Sequence, residues 1–257
     1  MRNIRTIGRL DVKNSNLIKS INLEGLRIVG NPNSFAKEYY KKGIDELIFI
    51  DSVATLYGRN NLSKIITKAT EDIFVPITVG GGIRKLEDAK MILNSGADKI
   101  AVNTAAVKNP KFISDLANSL GSQSIVLSIE AKEKNNNSWE VYTCNGREPA
   151  KLDVIDWIKK ASKLGAGEIL LTSIDQEGTR KGFDVKLMKK ASEVTDIPII
   201  ASGGFGEINH IYELMNESDI DAIAFADAIH YKRISINELK KAIKFIQNKN
   251  EKKINHN

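Results

Sequence analysis

Two acids of the 257-residue chain stand where general acid–base chemistry could be done. Asp11 ends an apolar run that starts at Arg5, and Glu130 ends one that starts at Ser124. Leu10-Asp11-Val12-Lys13 recurs as Ile129-Glu130-Ala131-Lys132, 119 residues later. Two facing carboxyls in different environments can act as general acid and general base. Singly, each could equally be a salt-bridge partner of Lys13, Lys132 or Lys19. Glycines offer a second chemistry. Gly80-Gly81-Gly82 and Gly203-Gly204 let the backbone approach an anion and supply N–H donors, or else form tight loops. Asn103-Thr104 opens a helical turn whose N–H groups favour phosphate. Asp227 is the repeat mate of Thr104, where a carboxylate either repels a phosphate or caps the next helix. Finally, Arg5, Glu46, Lys99 and Glu168 begin otherwise apolar segments. Two cations and two anions there could close into a ring or remain ordinary surface ion pairs.

The elements that must position these groups follow from periodicity. Near-continuous apolar runs over Arg5–Asp11, Leu47–Asp51, Ile77–Val79, Lys99–Asn103, Ser124–Glu130, Glu168–Thr172, Ile199–Ala201 and Ala222–Phe225 predict parallel strands buried on both faces. Apolar residues at helical spacing predict helices over Ser34–Lys42, Leu62–Glu71, Leu86–Ser95, Pro110–Leu120, Leu152–Leu164, Val185–Val194, Ile208–Asn216 and Ile236–Asn248. Eight of each predict a closed (β/α)₈ barrel, a TIM barrel, in a single domain over 1–257. Pro76–Gly82 recurs as Pro198–Gly204, Asp45–Ile50 as Gly167–Thr172, and Asp98–Thr104 as Asp221–Asp227. The barrel is therefore expected to consist of two similar half-barrels, about 1–122 and 123–248, followed by a polar tail over 249–257. Asn135–Ser138 reads as a polar loop within an insertion after the fifth strand. Active sites of this fold lie at the C-terminal strand ends, which places Asp11, Glu130 and the glycines together and the four charged strand starts at the opposite face.

Composition narrows the function classes. Apolar residues make up 42% and charged residues 27%, as in ordinary globular proteins. No apolar run reaches the ~20 residues of a membrane span, and the N-terminus lacks a leader's apolar core. One cysteine, Cys144, and three scattered histidines predict no disulfide, no metal and no cofactor. A cytoplasmic setting is expected. The net charge of +6 hints at a polyanion. Six lysines lie between Lys240 and Asn257, however, so the barrel is nearly neutral and no nucleic-acid partner is expected.

A family resemblance completes this reading. Leu10–Lys13, Gly43–Leu47, Thr78–Ile83, Gly96–Lys99, Asn103–Val107, Gly121–Gln123, Gly165–Asp175, Gly178-Thr179 and Ala201–Gly204 resemble the cyclase subunit of imidazole glycerol phosphate synthase, the HisF family, over nearly the whole chain. The resemblance implies a barrel docked on a glutaminase subunit. Ammonia would pass a floor gate at Arg5, Glu46, Lys99 and Glu168, with Asp98 at a docking position, and travel to a bis-phosphorylated ribulosyl substrate. It assigns substrate contacts to Lys19, Asp51, Gly82, Asn103, Thr104, Asp175, Gly178, Ser202 and Gly204, with Ala226 and Asp227 beside them. Asp11 falls on one catalytic aspartate. The departures gather at the mouth: Glu130 stands for the partner aspartate, Arg9 for a cysteine, Glu177 for an aspartate and Asp227 for a serine. Asn22–Arg27, Ala54–Leu62 and Ser128–Lys132 are similar to a paralogous branch found beside surface-polysaccharide genes. That branch is thought to supply ammonia, with a sugar amidotransferase as a further partner, for converting an acetamido to an acetamidino group. This resemblance favours the branch. The authentic histidine-pathway subunit and a non-catalytic ammonia conduit are the alternatives.

Overall fold

The computed structural model describes residues 3–54, 62–135 and 137–254. Eight parallel strands close into a barrel. In chain order the strands are β1 (Arg5–Lys13), β2 (Asn16–Ile21), β3 (Glu24–Gly30), β4 (Glu46–Asp51), β5 (Ile77–Gly80), β6 (Lys99–Val102), β7 (Ile125–Asn135), β8 (Ser138–Thr143), β9 (Glu148–Asp153), β10 (Glu168–Ser173), β11 (Ile199–Ser202) and β12 (Ala222–Phe225). Strands β1, β4, β5, β6, β7, β10, β11 and β12 pair in that order, and β12 returns to β1. All eight barrel strands expected from the apolar runs are present.

The helices packed outside are α1 (Pro32–Lys41), α2 (Leu62–Thr70), α3 (Leu86–Asn94), α4 (Thr104–Lys108), α5 (Lys111–Leu120), α6 (Val154–Lys163), α7 (Val185–Ser192), α8 (Ile208–Glu217), α9 (Asp227–His230) and α10 (Ile236–Ile254). Asn31 caps α1 by accepting from the Ser34 amide at 3.1 Å. Among the described residues no helix is long and apolar enough to cross a membrane.

Three expectations are corrected. Both β1 and β7 run past their predicted ends because each continues into an antiparallel extension, β2–β3 and β8–β9 respectively. The helix expected from Leu152 begins at Val154, because Leu152 and Asp153 belong to β9 and Asp153 caps the helix through the Ile155 and Asp156 amides. The last helix continues past Asn248 to Ile254. Residues 55–61 of the Ala54–Leu62 motif, Asn136 of the polar loop and 255–257 of the tail lie outside the described residues.

Side chains alternate along a strand, so each barrel strand sends every second residue inward. On β1 the inward set is Arg5, Ile7, Arg9 and Asp11. The middle of the lumen is apolar and buried, formed by Ile7, Ile48, Ala101, Val126, Leu170, Ile200, Ala222 and Ala224. A second, larger core fills the space between strands and helices. The lumen thus has charged residues below, an apolar middle and polar residues above.

Candidate active site

At the floor, the four charged strand starts form a closed ring. Arg5 donates from Nη1 to Glu46 Oε1 and from Nη2 to Glu168 Oε1, both at 2.6 Å. Lys99 Nζ reaches Glu168 Oε2 at 2.8 Å and Glu46 Oε2 at 3.4 Å. Each carboxylate bridges both cations, so no charge in the ring lacks an opposite neighbour. Burying these groups costs solvation, and the fourfold pairing offsets that cost. Asp98 lies on the same face. It is exposed, and its Oδ2 accepts the Ile77 amide at 2.8 Å. Its repeat mate Asp221 accepts the Ile199 amide in the same way, so this aspartate also ties its strand to the preceding one.

At the mouth the two acids are held differently. Glu130, 7% exposed, accepts at Oε2 from the Gly146 amide at 2.8 Å and from Asn103 Nδ2 at 3.1 Å. Burial pushes its carboxyl up to about 7, against the opposing pull of the Gly146 hydrogen bond and of Arg9. Asp11, 4% exposed, receives Arg9 Nε at 3.0 Å. Arg9 is inside the barrel, 3% exposed, and its Nη1 also donates to Thr172 Oγ1 at 2.9 Å and Ser202 Oγ at 3.0 Å. Strand periodicity explains this direction, since Arg9 lies two residues from Asp11 and four from Arg5.

The mouth is unequal across the repeat. On the β5–β6 side lies a cavity of about 350 Å³, lined by Asp51, Gly82, Asn103, Thr104, Lys108 and Glu130 among others. On the β11–β12 side the equivalent cavity is about 20 Å³, lined by Lys19, Glu177, Gly178, Ser202, Gly204, Ala226 and Asp227 among others. Lys19 and Glu177 form a buried ion pair there. Burial works against the Glu177 carboxylate, yet Lys19 and Arg9 hold it below the usual range. Asp227 Oδ1 is 2.8 Å from Arg233 Nη1 and 3.6 Å from Arg180 Nε.

Two glycines show why no side chain fits these loops. A Cβ on Gly81 would lie 2.4 Å from the Asp51 carbonyl oxygen, and one on Gly204 1.9 Å from that of Gly182. Both have positive φ, +101° and +102°. The glycines therefore also serve loop packing, the plainer role open to them from sequence.

The remaining expected contacts divide. The Thr104 hydroxyl accepts the Cys144 amide at 3.1 Å, fastening the β8–β9 turn to the mouth. Asp51 Oδ1 accepts the Val53 amide at 3.0 Å. Asp175 lines neither cavity, and its Oδ2 accepts the Glu133 amide at 2.7 Å. Asp11 is not among the residues that line the larger cavity. Sequence reasoning missed the turn Cys144-Asn145-Gly146, which borders the larger cavity and bonds Glu130. The Asn-Gly pair between strand-like runs was the signal for it. Among the described residues no cluster of three or more histidine, cysteine or acidic side chains could hold a metal ion.

Known proteins agree with this architecture. A family model described as "Histidine biosynthesis protein" matches residues 5–235. The "Imidazole glycerol phosphate synthase subunit HisF" of Legionella pneumophila is 61% identical over 208 residues, 81% of this chain and 98% of that protein. Its namesake in Streptococcus sanguinis (strain SK36) is 45% identical over 239 residues, covering 93% and 95%. A third, from Lachnoclostridium phytofermentans, is 46% identical over 245 residues, 95% of each chain. These names support the histidine-pathway alternative over the sugar-modification branch, which none of the three carries.

Proposed function

Because the chain belongs to the HisF family of histidine-biosynthesis proteins, we propose that it is the ammonia-using lyase/cyclase subunit of a glutamine-dependent complex. The observation that carries this reading is a single lumen closed below by a four-charge ring and bordered above by a buried acid that titrates near neutrality. A glutaminase subunit would dock on the floor around Asp98, and ammonia would enter past Arg5, Glu46, Lys99 and Glu168. The apolar middle layer suits a small neutral molecule and disfavours ammonium, whose charge would be desolvated there.

At the mouth, Asp11 and Glu130 divide the proton work. Asp11, oriented by the Arg9 Nε hydrogen bond, would take the proton, and Glu130, whose carboxyl is raised to about 7 and so stays partly protonated at neutral pH, would give one. Of the expected substrate contacts, Asp51, Gly82, Asn103 and Thr104 line the larger cavity and Lys19, Gly178, Ser202, Gly204, Ala226 and Asp227 the smaller, while Asp175 stands outside both. On the histidine-pathway substrate, ammonia condenses with the ribulosyl carbonyl, its oxygen leaving as water, and the C–N bond to the ribotide breaks. The imidazole ring then closes, giving imidazole glycerol phosphate and an aminoimidazole carboxamide ribotide. Purified full-length chain with an ammonium salt and this substrate releases imidazole glycerol phosphate; folded protein without turnover rejects this acceptor.

A second reading draws on the small β11–β12 cavity and on Arg9. A mouth narrowed on one side favours a different acceptor for the same ammonia, such as the acetamido group of a surface sugar, with a sugar amidotransferase as further partner. Deletion of the gene distinguishes the two. Histidine auxotrophy supports the first, and histidine-independent growth with loss of the acetamidino sugar supports the second.

A further inference from the structure

We propose that Glu177 and Asp227 are specificity-determining residues that fill the anion pocket at β11–β12 with the chain's own carboxylates, so that the mouth seats a ligand by one phosphate only, at β5–β6. This rests on the reading that the mouth takes a phosphorylated substrate.

The repeat provides the internal comparison. Gly81-Gly82 and Gly203-Gly204 are equivalent, as are Thr104 and Asp227. Both sides keep the glycine loop, yet one cavity measures about 350 Å³ and the other about 20 Å³. The smaller has room for about one water, which is too little for a phosphate. The larger cavity is bordered by two acids as well, Asp51 and Glu130, but also by Arg84 and Lys108, whereas in the smaller one both acids are already paired with its cations. Glu177 holds Lys19, and both side chains are 5% exposed, so the inner cation of the pocket is already neutralised. Asp227 holds Arg233 and Arg180 from the solvent side. Arg9, the remaining cation nearby, is bonded to Asp11, Thr172 and Ser202. His230 is buried behind the pocket with its Nδ1 2.6 Å from the Tyr39 hydroxyl, and burial lowers its pKa to about 3, so it adds no charge. Among the described residues, a phosphate arriving here meets two carboxylates, and the cations nearby, Lys19, Arg9, Arg180 and Arg233, are each already paired. A ligand with a phosphate at each end is therefore held by one end.

The test is titration of the full-length chain with inorganic phosphate, followed by calorimetry and by phosphorus resonance. Wild type is expected to bind one phosphate, and Thr104→Asp, which copies the Asp227 charge onto the other side, to abolish it. Asp227→Ser combined with Glu177→Gln frees Lys19, Arg180 and Arg233, and a second site should appear, at least about a hundredfold tighter than any second binding to wild type. Asp227→Ser alone, at the rim, gives the same direction if the double variant does not fold. Two sites in wild type, no site in wild type, a site that survives Thr104→Asp, or no second site in the folded variants each overturn the proposal. Ammonium-dependent turnover on the same preparation reports separately on the ammonia-using reading, so the two can fail independently.

Discussion

Glu130 and Arg9 set the behaviour of the mouth at the scale of single residues. The proposed role of Glu130 as proton donor follows from burial, which raises its carboxyl to about 7. Its donor form is lost as pH rises through that value, so kcat is expected to fall on the alkaline side of about 7. Glu130→Gln removes this limb and lowers the rate by about 10²–10⁴-fold, as loss of a general acid does; a pH–rate profile of both proteins checks it. The same shift acts on stability. A carboxyl whose folded pKa lies above its unfolded 4.5 stabilises the fold fully below 4.5 and loses that contribution as pH rises through about 7. Arg9→Ala leaves Asp11 buried without its cation and opens a void, and a loss of about 3 kcal/mol is expected in urea unfolding. The sequence left open whether Arg9 points into the barrel; the structure settles it, since counting by twos from the inward Arg5 along β1 reaches Ile7, Arg9 and Asp11. The partners it finds, Thr172 and Ser202, come from strands more than 160 residues away and were not legible in the sequence either.

At the scale of elements, the barrel strands were readable and the two antiparallel extensions were not. Barrel strands are buried on both faces and stand out as continuous apolar runs. Strand β3 has little buried surface on either face, so it shows no period at all. Strand β8 does alternate, with Trp139, Val141 and Thr143 inward, but its polar flanks made it read as an insertion. These extensions matter because they bring backbone to the mouth: the Gly146 amide to Glu130 in one case, and the Asn22 amide to the Glu177 carbonyl in the loop after β10 in the other. Trp139 anchors β8 by donating from Nε1 to Asp184 Oδ2 at 2.7 Å. Trp139→Phe keeps most of the ring and leaves that carboxylate oxygen short of its donor. A cost of about 1–2 kcal/mol is expected, with faster amide exchange across β8–β9 as the local readout.

At the scale of the whole molecule, the four repeated blocks of sequence take equivalent places in the barrel, and the mouth is unequal between them. The repeat and the Asp227 departure from it were visible in the sequence. The small size of the β11–β12 cavity was not, because the pair beside it joins Glu177 to Lys19 across 158 residues. The floor retains its ring, so coupling to a glutaminase should depend on it. Lys99→Met unbalances the two glutamates, and the glutamine-driven rate should fall by more than the ammonium-driven rate; equal losses in paired assays would place Lys99 outside the ammonia path. The central claim is that this barrel receives ammonia from a partner on its floor. Affinity purification of the full-length chain from its native host, with quantitative mass spectrometry, tests that most directly. A glutaminase should co-purify in equal amount and be lost with Asp98→Lys; a folded wild-type chain that brings down no glutaminase would contradict it.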